Sequence, residues 1–103
     1  VKYSVTTTSK FEKQLSRLAK KYTSITTDIR ELGISLSENP FQGDGLGKDM
    51  YKVRMAITSK ARGKSGGARI ITLVLVTKSE VRLLAIYDKS EMDTLSDDEL
   101  KNL

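Results

Sequence analysis

The chain has no cysteine and no histidine. Lacking cysteine, it has no disulfide framework, no thiolate chemistry and no Cys-based zinc site. Lacking histidine, it loses the usual neutral-pH general base, the Ser-His-Asp arrangement and the commonest metal ligand together. Proline occurs once, at Pro40. Long apolar runs are missing too: Ile70 to Val76 and Val81 to Ile86 fall far short of the roughly 20 residues a membrane-spanning helix needs. The opening VKYSVTTT carries no signal-peptide pattern. The resulting expectation is a soluble, cytoplasmic protein with no membrane partner, metal or cofactor. Acid is also the scarcer charge, with 13 acidic residues against 18 basic ones, and the pI near 9.5 favours a polyanionic partner. At 103 residues there is room for a single domain spanning 1–103, with a modest core and no separate substrate domain.

Basic residues concentrate in KDMYKVRMAITSKARGKSGGAR, residues 48–69, which hold Lys48, Lys52, Arg54, Lys60, Arg62, Lys64 and Arg69 against one acid, Asp49. The first half of this stretch alternates. Tyr51, Val53, Met55 and Ile57 fall on one side and Lys52, Arg54, Ala56 and Thr58 on the other, the period-two pattern of a half-buried strand. Such a strand aims Lys52 and Arg54 from fixed positions, and fixed cations suit an anionic ligand.

Elsewhere the chain reads as follows. Val1, Tyr3 and Val5 alternate with polar residues and predict a short first strand. Ser9-x-x-Glu12 has capping-box spacing, and Phe11, Leu15, Leu18 and Tyr22 then form one apolar stripe, predicting a helix to about Lys21. Its other sides carry Lys10, Lys13, Arg17, Lys20 and Lys21, read as a solvated face. Ile25, Ile29, Leu32 and Leu36 repeat the spacing in a second helix that stops before Asn39-Pro40, so the two form a hairpin. Gly33 inside it reads as a close-packing position, because glycine there costs about 1 kcal/mol relative to alanine. Residues 39–48, NPFQGDGLGK, read as a turn-rich loop. Ile70 to Val76 predicts a central strand covered on both faces, and Val81 to Tyr87 its antiparallel neighbour. Beyond it the composition turns acidic, and Ser96-x-x-Glu99 ahead of Leu100 and Leu103 predicts a short C-terminal helix. Together these give an α+β fold: an N-terminal strand, a helical hairpin packed on a three- to four-stranded antiparallel sheet, and a short C-terminal helix.

Two phosphate-binding patterns fail on inspection. Gly43-x-Gly45-x-Gly47 lacks the third fingerprint glycine and is followed by a strand where a helix is required. Gly63-Lys64-Ser65 matches the end of a P-loop, but Thr58 occupies the place of its first glycine. The segment reads instead as a flexible cationic hairpin loop, with Lys60, Arg62 and Lys64 neutralising phosphate charge.

The element order, with the words NPFQGDGLG, YKVRMA, ARGKSGGARII and IYDKSEMDTLSDDEL, resembles the RelE/ParE toxin superfamily, most closely its HigB-like branch. KSGGAR before an apolar strand, then Tyr87-x-Lys89-Ser90-Glu91, is the specific part of the likeness. The resemblance implies the toxin half of a bacterial toxin–antitoxin pair: an endoribonuclease that cuts messenger RNA in the ribosomal A site and is neutralised by a cognate antitoxin. The oligomeric state stays open, a heterotetramer with the antitoxin being one form. Carried over by position, Lys52 and Arg54 fall on the family's basic pair, and Arg69 on the arginine that contacts the scissile phosphate. At the place of a second family arginine stands Ser90, with Lys89 the nearest cation, and the family's C-terminal tyrosine falls near Leu95 or Ser96. Tyr87 or Lys89 is then the candidate proton donor, while Lys48, Lys60, Arg62 and Lys64 are candidates for holding RNA backbone. The chemistry suits the composition, since attack by a 2′-hydroxyl needs alignment, phosphorane stabilisation and protonation of the leaving oxygen. Lysine acts as a base only where neighbouring cations loosen its proton, and Lys52, Arg54 and Arg69 would be such neighbours. Two alternatives remain: a ParE-like inhibitor of DNA gyrase, and a non-catalytic remnant that still binds an antitoxin.

Overall fold

A computed structural model of the chain describes residues 2–60, 66–91 and 97–103. Strand β1, Ser4–Thr7, leads directly into helix α1, Ser9–Ala19. The cap is Thr8, one residue earlier than the capping-box spacing suggests: its backbone is extended and its hydroxyl accepts the Phe11 N–H at 3.2 Å. Helix α2, Ile25–Glu38, completes the hairpin. The predicted stripe faces inward, with Phe11, Leu18, Ile25 and Leu36 fully buried and Leu15, Tyr22, Ile29 and Leu32 packed beside them.

Four further strands follow: β2 Asp44–Gly47, β3 Met50–Met55, β4 Ala68–Leu75 and β5 Glu80–Asp88, with a C-terminal helix α3, Asp97–Lys101. They form one five-stranded sheet in the order β1-β5-β4-β3-β2. The α+β layering and the β3-β4-β5 meander match the sequence reading, but the sheet is wider and mixed. β1 joins it parallel to β5, and β2 lies in the stretch read as a loop. Every residue of β2 is exposed, so DGLG has no buried face to imprint a pattern on its sequence. Lys48 and Asp49 link β2 to β3 with φ of 54° and 65°, the two left-handed residues that a type I′ hairpin turn requires.

The two faces of the sheet differ. Val53, Met55, Ala68, Ile70, Val81, Leu83 and Ile86 pack against the helical hairpin. On the opposite face Ile71, Leu84, Ala85 and Tyr87 are covered by Met50, Leu73, Leu100 and Leu103, so α3 lies over that side. β4 is therefore enclosed on both faces, as its unbroken apolar run predicts. A register shift between Ile71 and Thr72 leaves Leu84 as the extra residue, which lets both Leu84 and Ala85 join the second face.

Gly33 does not mediate close packing: a Cβ built there meets nothing within 4 Å. Among the described residues the glycines that pack closely are Gly67, where a Cβ would lie 2.1 Å from the Met55 carbonyl oxygen, and Gly43, where it would lie 2.4 Å from that of Lys52. Among the described residues, no helix is long and apolar enough to cross a membrane.

Candidate functional site

The strand register assembles the site. Arg54 on β3 pairs with Arg69 on β4, and Arg69 pairs in turn with Tyr87 on β5, so the three form one row across the face opposite the helical hairpin. Directly paired residues have Cβ atoms roughly 5 Å apart. Lys52 shares that face, opposite Ile71 and two residues from Arg54, about 7 Å along the strand. Lys89 opens the turn after β5, its N–H donating to the Gly67 carbonyl at 3.0 Å. Two arginines paired directly across a sheet repel each other, and an anion between them would turn that cost into a binding site.

Exposure differs sharply along the row. Arg54 is exposed and Lys52 half-buried, whereas Arg69 keeps only 4% of its surface and Tyr87 5%. One guanidinium nitrogen of Arg69 donates to the Ala68 carbonyl at 3.2 Å. Tyr87 packs against the Leu100–Leu103 side of the molecule and borders a cavity of about 340 Å³ with Lys10, Gln14, Glu99 and Asn102. The basic helix α1 thus reaches the edge of the row, because Gln14 accepts the Ile86 N–H at 2.9 Å where β1 no longer pairs with β5.

Two of the expected RNA-binding lysines lie elsewhere. Lys48 occupies the hairpin turn at the far end of β3, beside an apolar cavity of about 540 Å³ lined by Leu46, Met50, Leu73, Leu84, Leu100 and Leu103 among others. Lys60 is not a loose loop cation. It ends the 3-10 turn Thr58–Lys60, and its ammonium pairs with the Asp88 carboxylate at 2.7 Å. That carboxylate is fully buried and also accepts the Tyr22 hydroxyl at 2.5 Å and the Ser90 N–H and hydroxyl at 2.9 and 2.8 Å. Burial alone pushes the Asp88 carboxyl up, but the hydrogen bonds from Lys60, Tyr22 and Ser90 outweigh it and hold the group well below the usual carboxylate range. Burial likewise lowers Lys60, and Asp88 more than reverses this, so its pKa is raised. Arg62, Lys64, Leu95 and Ser96 lie outside the described residues.

Sequence reasoning missed Asp88 and Asp28. Asp88 reads as the start of an acidic tail, and its partners lie 66 and 28 residues away. Asp28, on the flank of α2, is buried and accepts the Ser24 hydroxyl at 2.8 Å and the Thr58 N–H and hydroxyl at 3.0 and 2.6 Å. It fixes the turn that follows β3, and its signal, an acid on an apolar helix face, passes for an ordinary solvated residue. Asp44 stands opposite Lys52 in the ladder, a counter-charge hidden in the glycine-rich stretch. Among the described residues, no three potential ligands cluster as a metal site would require.

No protein-family model matches the chain. Solved structures do. One is the toxin–antitoxin complex RelBE of E. coli, where the match has 16% identity and a TM-score of 0.63 over 84% of this chain and 95% of the other. The fold is that of the RelE toxins. The RelBE2 toxin–antitoxin complex of Mycobacterium tuberculosis matches at 18% identity and a TM-score of 0.62, covering 85% of this chain and 99% of the other. A variant of the E. coli toxin RelE with two arginines replaced by alanine, in the free state, matches at 14% identity and a TM-score of 0.68, covering 100% of this chain and 99% of its own.

Proposed function

We propose that this protein is the toxin of a bacterial toxin–antitoxin pair, a ribosome-dependent endoribonuclease that cuts messenger RNA in the A site. The observation that carries this reading is the register that sets Arg54, Arg69 and Tyr87 side by side on one sheet face, with Lys52 on the same face two residues from Arg54. The likeness to RelE, and to RelE chains solved in complex with antitoxins, adds support. In the reaction the 2′-hydroxyl attacks the adjacent phosphorus, the bond to the 5′-oxygen breaks, and a 2′,3′-cyclic phosphate and a 5′-hydroxyl result. Arg54 and Arg69 neutralise the charge that builds on the phosphorane oxygens. Lys52 or Lys89 takes the nucleophile's proton and Tyr87 or Lys89 returns one to the leaving oxygen, while the ribosome holds the RNA in line. The folded chain leaves 4% of Arg69 exposed, so on this reading a local rearrangement brings it to the phosphate. A protein antitoxin holds the activity in check.

Induced expression with and without the neighbouring gene, followed by primer extension on cellular messages, tests the proposal. Codon-spaced breaks and growth arrest that the neighbouring product suppresses are the expected result. Arrest without RNA breaks would point to a gyrase inhibitor, and harmless overexpression to a non-catalytic antitoxin-binding domain.

A further inference from the structure

We infer that Asp88, with Lys60 and Tyr22, is a positioning device for the row on the opposite side of β5, an inference that rests on the nuclease reading above. One fully buried carboxylate joins three segments distant in sequence. Tyr22 comes from the link between α1 and α2, Lys60 from the turn after β3, and Ser90 from the turn after β5. The Lys60 ammonium also lies 5.4 Å from the centroid of the Tyr22 ring, which encloses the pair further. Asp88 points towards the helices, so Tyr87 before it points to the other face, paired with Arg69.

On its inner edge this end of β5 is laddered to β4 through Ile86, Tyr87 and Asp88. β1 pairs only with Glu80 to Leu83, so beyond Leu83 the outer edge of β5 is held by side chains. Gln14 caps Ile86 from α1, and Arg17 meets both carboxylate oxygens of exposed Glu91 at 3.3 Å. The Asp88 cluster centres on a fully buried carboxylate, and its four hydrogen bonds steady the end of β5 whose ladder with β4 sets Tyr87 beside Arg69.

The experiment measures kcat and KM for message cleavage on programmed ribosomes, per folded molecule, well below each variant's melting temperature. Asp88→Ala and Lys60→Met should each lower kcat at least tenfold with KM within about twofold of the parent, and Lys60→Arg should recover most of the rate. Tyr22→Phe removes a single hydroxyl and keeps the ring, so it serves if Asp88→Ala does not fold; about a threefold fall in kcat is expected. Unchanged kcat per folded molecule in Tyr22→Phe and Lys60→Met, alongside an active parent, would overturn the inference and leave the nuclease reading intact. A parent that cuts nothing would overturn both.

Discussion

Among single residues, Thr72 is the clearest test of how the sheet is packed. It is fully buried on β4, and among the described residues its hydroxyl has no hydrogen-bond partner. A buried hydroxyl left unsatisfied costs about 1–3 kcal/mol, so Thr72→Val should stabilise the protein by about 1 kcal/mol, read as a higher urea midpoint at unchanged slope. Two glycines should respond in opposite directions. Gly33→Ala removes a helix-interior glycine where the new methyl meets open space and should gain up to about 1 kcal/mol, whereas Gly67→Ala forces a methyl against the Met55 carbonyl and should cost at least 2 kcal/mol in the same titration. Neither glycine announces its role in sequence. Periodicity marks a glycine as a cost to a helix but says nothing about what surrounds it, and Gly67 matters because of a backbone that approaches from another strand.

At the level of elements, legibility followed burial. Strands and helices with one buried face wrote that face into their spacing: Tyr51, Val53 and Met55 on β3, and Phe11, Leu15 and Leu18 on α1. β2 is exposed throughout and glycine-rich, so it left no pattern, and its pairing with β3 depends on the turn at Lys48 and Asp49. That turn is built from residues that resist left-handed φ. Replacing them with Asn-Gly, as Lys48→Asn with Asp49→Gly, should raise the melting temperature by several degrees, corresponding to about 1 kcal/mol, with the gain lost if the hairpin is not formed. The Arg54–Arg69 pairing was only half readable. Alternation gives the face of each arginine, but their juxtaposition needs the register between β3 and β4, which pairs Met55 with Ala68 beside the closely packed Gly67.

For the molecule as a whole, the Asp88–Lys60 pair links stability to pH. Asp88 is held below its ordinary range when folded, so its contribution is complete above the unfolded value near 4 and is lost as pH falls through the lower folded value. Lys60 is raised, so its share is present below about 10.4 and is lost only as pH climbs through the higher folded value. Asp88→Asn should therefore cost about 3 kcal/mol at pH 7 and flatten the loss of stability between pH 5 and pH 2, measured as denaturant midpoints across that range. The fold also sets the requirement for function. Leu100 and Leu103 pack on the face that carries the row, Arg54 is exposed at one end of it and Arg69 is buried in its middle, so the proposed reaction needs Arg69 to become accessible to a phosphodiester. Single-turnover cleavage of a message on programmed ribosomes, comparing the parent with Arg69→Ala at equal ribosome occupancy, addresses this most directly. A fall of at least about 100-fold in the cleavage rate, with occupancy retained, is the predicted result, and a rate equal to the parent's would contradict it.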